Sequence, residues 1–220
     1  GNLSNLVSLT QNTYESNISP TKVYSLLLKR QNTRDYLTNF VTDVTNTYEP
    51  EYNLLSQTVG LKFTGTAQQS RTTTINQYEN NPTGAGSNYY IGRLKQINTT
   101  ISAYSDTKKS ESKYTYTNNR VSKTESKANN TDNVYLTQEY TYDTFGNVLS
   151  QTTSVPNAQP AVVSRIVKYT YDPSGRFIKS TTDIQGLTTT NDIYHPLHGM
   201  VTQSTNPFGQ ITKTSYDDWG

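Results

Sequence analysis

Two histidines, His195 and His198, are the residues whose type and spacing most readily suggest chemistry, because imidazoles are common metal ligands. The segment that contains them, HPLHG, holds no third ligand, and its proline and glycine are typical of a turn. The adjacent carboxylates Asp217 and Asp218 would point to opposite faces of a strand, and they are ordinary as a turn pair. We therefore predict no metal site and interpret both segments as turns.

Signatures of other reactions are also missing from the sequence. The chain has no cysteine, so it has neither a thiolate zinc site nor a cysteine nucleophile. It contains no glycine-rich phosphate loop before a helix and no Gly-x-Ser-x-Gly elbow. Lys108, Lys109 and Lys113 form a mixed-charge run with Glu111, which is typical of a solvated hairpin tip. We predict no enzyme activity and no cofactor.

Composition indicates a β protein that is wet on at least one face. Of 220 residues, 31% are hydrophobic and 18 are Tyr, against 5 Phe and 1 Trp. Tyr and Thr favour half-buried pleated surfaces, where the apolar body packs and the hydroxyl reaches water or a neighbouring strand. A net charge of +2 argues against both disorder and nucleic-acid binding. The most apolar stretch, residues 23–28, is far shorter than the ~20 residues that span a bilayer.

A repeated unit organises the second half of the chain. YTYDTFGNVLSQ begins at Tyr140, and YTYDPSGRFIKS begins at Tyr169. The tyrosines of each unit are two residues apart, so in a strand Tyr140 lies on the same face as Tyr142, and Tyr169 on the same face as Tyr171. Each tyrosine pair is thus predicted to belong to one strand.

Both tyrosine pairs are followed directly by Asp-x-x-Gly, which predicts a tight turn. The side chains of Asp143 and Asp172 can accept backbone N–H groups, and Gly146 and Gly175 can adopt the left-handed conformation that closes a hairpin through a bulge. Pro173 suits the second position of a type I turn. The unit is therefore strand, turn and returning strand.

Further copies follow the same pattern. Their spacing indicates consecutive hairpins. The copies are DIQG ending at Gly186, NPFG ending at Gly209 and DDWG from Asp217 to Gly220, while Tyr171, Tyr194 and Tyr216 are 23 and 22 residues apart.

Degenerate copies lie earlier in the chain. YEPEYNLLSQT from Tyr48 aligns on the repeat, but Glu49 replaces the Asp and Tyr52 replaces the Gly, so a turn of different construction is expected. Asn118 and Asn119 predict a two-residue primed turn, since Asn tolerates positive φ.

We predict an all-β fold of consecutive antiparallel β-hairpins in a curved, open repeat sheet. It comprises a degenerate β-repeat region at 1–80, a loop at 81–88 and regular repeat hairpins at 89–220. Residues 36–48 also show near-helical apolar spacing, but their Thr and Val content favours a strand.

The repeat resembles the Rhs/YD-repeat family of bacterial Rhs polymorphic toxins, insecticidal toxin complex shells and teneurin shells. The match is carried by the two Tyr-x-Tyr-Asp-x-x-Gly units, and NYYIGRL at 88–94 resembles the segment that often precedes the regular repeats. The resemblance is good from about Asn88 onward and weak before Tyr48.

The resemblance implies a β ribbon that forms a hollow shell, in bacteria commonly around a toxic C-terminal domain. It implies a bacterial surface or extracellular location, and the rest of a large polypeptide as partner. Because DDWG ends inside a turn, we expect the chain to be a truncated piece of that polypeptide.

Some members of the family cleave themselves at an aspartate pair in two Asp-Pro-x-Gly-Leu segments. In this chain DPSG at Asp172 is followed by Arg176, and the second segment begins with Asn206, which has no carboxylate to share a proton. Both segments are therefore expected to be turns, with no catalytic residue.

Two functions remain open. The first is a structural wall segment. The alternative is an extracellular module that binds carbohydrate or protein through exposed tyrosines, for which Tyr89, Tyr90 and Tyr104 are the candidates. Packing within the sheet is the competing explanation for these three side chains.

Overall fold

The computed structural model describes residues 6–18, 24–49, 51–52, 55–64, 67–127, 134–217 and 219. The chain is all-β with antiparallel strands in an open arrangement, as predicted. Apart from strands and turns, the described part contains a single 3-10 turn at Gly86–Asn88. Residues 36–48, the segment with helical spacing, form a turn followed by a strand.

The chain divides into two units, one of residues 1–120 and 126–133 and one of residues 121–125 and 134–220. Within each unit the strands are hydrogen-bonded in chain order. The predicted loop at 81–88 lies inside the first unit. The strands of the first unit are β1 (Ser8–Ile18), β2 (Tyr24–Asp35), β3 (Phe40–Tyr48), β4 (Leu55–Thr64), β5 (Ala67–Asn81), β6 (Tyr90–Ala103) and β7 (Asp106–Thr117).

The second unit holds the regular repeats. Strand β8 (Arg120–Lys127) contributes its middle residues to this unit. The strands that follow are β9 (Leu136–Tyr142), β10 (Val148–Ser154), β11 (Arg165–Tyr171), β12 (Ile178–Thr182), β13 (Thr188–Tyr194), β14 (Val201–Thr205) and β15 (Ile211–Lys213).

Side-chain alternation along β9 shows why the sequence forms a strand there. Tyr140 and Tyr142 are half-buried, and Glu139 and Thr141 between them are exposed. The same alternation recurs in β11 around Tyr169 and Tyr171. Each tyrosine pair therefore shares a face, and each strand ends where the Asp begins the turn.

Burial is unusually shallow for a folded chain. Among the described residues only Asp43 and Thr137 are buried polar side chains, and no large side chain is fully buried. The accessible surface is 15031 Å², while a compact protein of 24.7 kDa exposes about 10,000 Å². Main-chain ladders and half-buried rows of side chains, rather than a two-sided core, hold the strands.

Two hairpin tips test predictions made from the sequence. The prediction for the lysine run is wrong, and the prediction for Asn118 and Asn119 is confirmed. The tip between β6 and β7 is Tyr104–Ser105, both at positive φ, so the lysine run at 108–113 lies within β7 and not at a tip as predicted. Asn118 and Asn119 have φ values of 50° and 63°, which is the predicted primed turn.

Candidate functional site

The turn at Asp172 shows how the repeat motif works. The Asp172 carboxylate accepts the backbone N–H groups of Arg176 and Phe177 at 2.8 Å each, and that of Ser174 at 3.2 Å. The backbone N–H of Gly175 donates to the Asp172 carbonyl at 2.9 Å. The Ser174 hydroxyl and these N–H groups lower the pKa of Asp172 to about 2. The carboxylate is therefore a structural acceptor and not a proton donor at neutral pH.

Asp143 is used in the same way one repeat earlier. Its carboxylate accepts the N–H groups of Gly146 at 2.7 Å and Asn147 at 2.8 Å. Burial raises the pKa of Asp143, but hydrogen bonds from the Asn147 side chain and the turn backbone outweigh it and leave the pKa below its usual value. The Asn147 amide also donates to the carbonyl of Gly175 at 2.7 Å, which ties one turn to the next.

In later turns the position of Asp172 is occupied by an Asp, an Asn and a His, and each accepts backbone N–H groups with its side chain. The Asp and the Asn are described first. Asp183 Oδ1 accepts from Gln185 and Leu187, and Asn206 Oδ1 accepts from Phe208 and Gln210. The NPFG segment is thus a turn, in which an amide suffices.

His195 takes the third variant of this position. Its Nδ1 accepts the N–H groups of Leu197 at 3.4 Å and His198 at 3.3 Å, and its ring stacks on that of His198 at 4.8 Å. The turn was predicted from the sequence, but the role of His195 as its acceptor was not. The signal was present, because His195 follows Tyr194 as Asp172 follows Tyr171. Within the described residues no cluster of three or more His, Cys, Asp or Glu could hold a metal ion.

The first unit also contains turns in which a side-chain carboxylate accepts backbone N–H groups, but the residues differ from those of the regular motif. The Glu49 carboxylate accepts the N–H groups of Glu51 at 2.7 Å and Tyr52 at 3.0 Å, so a longer acid does the work of the Asp. Asp35 accepts from Leu37 and Thr38, and these bonds lower its pKa. The Asp35 turn was not predicted from the sequence, because Thr38 stands where the motif has glycine and the residue at positive φ is Asn39, one position later.

Glycine is needed at Gly175 for two reasons. Its φ of +70° is a conformation that L side chains rarely adopt, and an added Cβ would lie 2.5 Å from the ring of Phe145 in the preceding turn. The same arrangement recurs at Gly199, where an added Cβ would lie 2.7 Å from the ring of Phe177. Aromatic rings at one turn thus cover the glycine of the next turn at the same edge of the sheet. Positive φ is also found at Gly146, Gly186 and Gly209.

The tyrosines that lie just before the turns, which include the second tyrosine of each Tyr-x-Tyr pair, form a ladder of hydroxyl bonds. Each hydroxyl donates to a main-chain carbonyl in the first residues of the antiparallel strand before it, which lies beside the end of the strand that leads to the tyrosine. Burial raises the pKa of the Tyr171 and Tyr116 hydroxyls. The bonds join Tyr142 to Val121 at 2.6 Å, Tyr171 to Val148 at 3.1 Å, Tyr216 to Val201 at 3.1 Å, Tyr194 to Ile178, Tyr48 to Leu28 at 3.0 Å and Tyr116 to Leu94 at 2.8 Å.

The three candidate ligand-binding tyrosines have different surroundings. The Tyr90 ring lies 3.3 Å from the guanidinium of Arg93, which also approaches the Tyr116 ring, so Tyr90 packs within the sheet. Tyr89 is 55% exposed, and Tyr104 is 83% exposed at its hairpin tip. Tyr89 precedes the start of β6 and Tyr104 follows its end, so the structure does not bring the three together into one surface.

The C-terminal copy of the motif is described only in part. Tyr216 joins the hydroxyl ladder, and Asp217 Oδ1 accepts the N–H of Trp219 at 3.0 Å, as an Asp at the start of a turn should. Gly220 lies outside the described residues, as does Asp218.

No family model matches the chain, and no curated protein matches it either. Among the described residues, no helix has the length and apolar character needed to cross a membrane. The resemblance to YD-repeat proteins rests on the motif residues described above.

Proposed function

We propose that this chain is structural and forms a wall segment of a secreted or surface-displayed YD-repeat shell that encloses or presents a C-terminal effector. Shallow burial is the observation that carries the proposal. A surface of 15031 Å² exceeds that of a compact protein by about half. Repeat proteins of this kind gain stability from neighbouring repeats, and a wall meets further parts of its own polypeptide.

The use of the polar groups supports a structural role. Asp143, Asp172 and Asp183 spend their carboxylates on turn N–H groups, and the tyrosine hydroxyls of the ladder bond main-chain carbonyls. Side chains committed in this way hold backbone geometry and are not free to bind or activate a substrate. The same commitment argues against enzyme activity.

The test uses the complete natural polypeptide that contains this segment. If the wall encloses an effector, a protease leaves the sequence beyond residue 220 intact while the folded wall persists, and cleaves it once the wall is unfolded by denaturant. Rapid cleavage of that sequence in the folded protein would contradict enclosure. An open reading frame that ends shortly after residue 220 would contradict it as well.

A second function is favoured by the exposure of Tyr104 and Tyr89, 83% and 55% respectively. Exposed aromatic faces can stack on sugars or anchor a protein partner. A glycan array with the folded chain should then show saturable binding that Tyr104→Ala or Tyr89→Ala abolishes. Tyr90→Ala is the contrasting variant, because the Tyr90 ring is already covered by Arg93. Binding that survives the first two substitutions would exclude this function.

A further inference from the structure

A polar depression of about 270 Å³ lies on one face of β1 and β2, lined by Gln11, Thr13, Arg30 and Asn32. The strand register explains how these side chains meet. Gln11 pairs with Asn32 and Thr13 pairs with Arg30, so all four point to the same side of the sheet. The volume is below the roughly 300–1,000 Å³ of pockets for drug-sized ligands, which suits one small ring.

Arg30 is held in place by an acid from the next strand. Its Nε donates to Asp43 Oδ1 at 2.7 Å, and its Nη2 donates to Asp43 Oδ2. Asp43 pairs with Asn32 in the register and is only 8% exposed, so the ion pair is anchored on a buried carboxylate. Asp43 accepts two of the five N–H donors of the guanidinium and cancels its charge. The site is therefore neutral, with oriented donors.

Each face of β1 and β2 carries one Gln opposite one Asn, but the two pairs differ in their hydrogen bonds. On the opposite face Gln31 donates to Asn12 at 3.1 Å, and Asn12 also contacts the Tyr14 hydroxyl. In the depression, Gln11 and Asn32 make no side-chain hydrogen bond to the described part of the chain. Their amides, each a donor and an acceptor, thus remain for a ligand.

We propose that this depression binds a neutral, hydroxyl-rich ligand, namely a single sugar unit. Sugar hydroxyls donate and accept hydrogen bonds, as do the two amides and the Thr13 hydroxyl, and the Arg30 fork supplies further donors. An anion is disfavoured because Asp43 already neutralises Arg30. The site involves none of the exposed tyrosines, and it does not depend on the wall function.

The experiment is a ligand-observed NMR titration of the folded chain with glucose, galactose, mannose and N-acetylglucosamine. We expect saturable binding of at least one sugar with a Kd on the order of 1 mM. The double variant Gln11→Ala/Asn32→Ala should weaken binding about tenfold or more. The matched control Asn12→Ala/Gln31→Ala removes the same residue types from the opposite face and should leave binding unchanged.

Circular dichroism of both double variants is the control for the fold, and we expect spectra equal to that of the wild-type chain. Absence of saturable binding by the folded wild-type chain would overturn the proposal, as would equal losses in the two double variants. Saturable binding of acetate in preference to every sugar would overturn the ligand class. Failure here leaves the protease-protection result for the wall untouched, so the two proposals fail separately.

Discussion

At the scale of the residue, the position that begins each turn demands an acceptor and little else. Asp172, Asn206 and His195 present a carboxylate, an amide oxygen and an imidazole nitrogen to the backbone N–H of the residue two positions on. Glu49 accepts the corresponding N–H with a side chain that is one methylene longer. The chemistry of the motif is hydrogen-bond acceptance, which explains why its acid varies without loss of the turn.

The glycine that closes the turn gives a prediction at the same scale. Gly175→Ala should destabilise the chain by roughly 1–2 kcal/mol for its left-handed backbone and by roughly 1–3 kcal/mol more for the clash with Phe145. Gly186 is the matched control, because its φ is +82° and an added Cβ would meet nothing within 4 Å. Gly186→Ala should therefore show the backbone cost alone, as measured by denaturant unfolding.

The clash component can be isolated further. Adding Phe145→Ala to Gly175→Ala should recover part of the loss, because the truncated ring no longer meets the new Cβ. Equal destabilisation by Gly175→Ala and Gly186→Ala would show that the ring of Phe145 does not pack on the glycine as described.

At the scale of the element, a hairpin is joined to its predecessor by a tyrosine hydroxyl as well as by the main-chain ladder. Tyr171, at the end of β11, bonds the carbonyl of Val148 at the start of β10. Neighbouring turns add a second link, in which Phe177 covers Gly199 and stacks on Tyr194 at 4.7 Å. Strands of five to seven residues such as β12 and β13 thereby gain contacts that their short ladders do not supply.

The hydroxyl ladder predicts unequal effects for the two tyrosines of one unit. Tyr171→Phe should lower the free energy of unfolding by about 0.5–1.5 kcal/mol, since it deletes one hydrogen bond and keeps the ring. Tyr169→Phe should change it by less than about 0.5 kcal/mol, because the Tyr169 hydroxyl bonds nothing in the described part of the chain. Denaturation midpoints of the two variants measure the difference. A larger effect at Tyr169 would refute the ladder.

At the scale of the whole molecule, shallow burial limits how much surface unfolding can expose. An unfolded chain of this mass exposes about 36,000 Å², so folding to 15031 Å² buries about 21,000 Å². A compact protein of the same mass buries about 26,000 Å². Stability must therefore come from a smaller hydrophobic contribution than usual for 220 residues.

The denaturant dependence of unfolding should report this directly. The m-value scales with the surface exposed on unfolding, so we expect about four-fifths of the value for a compact protein of equal length. Separate unfolding of the two units would lower it further. A guanidinium titration followed by circular dichroism gives the m-value, and a result at or above the compact value would contradict the shallow burial.

The secondary structure of the repeats follows from the amino-acid sequence, because the relevant forces are local. Alternating tyrosines, an Asp acceptor and a left-handed glycine act within about eight residues, and they placed the turns at Asp143, Asp172, Asp183 and Asn206 correctly. The Asn118–Asn119 turn followed from the same local preference.

The contacts that those residues make across strands depend on the tertiary structure. The tyrosine hydroxyls bond carbonyls some 15 to 23 residues away, and Phe145 covers a glycine in another turn. The acceptor His195 and the turn that contains Asn39 were not predicted, because their residue types differ from the Asp and Gly of the motif. Their backbone geometry nevertheless forms the turns. The polar site at Gln11, Arg30 and Asn32 had no sequence signal, since it exists only through strand register and the buried acid Asp43.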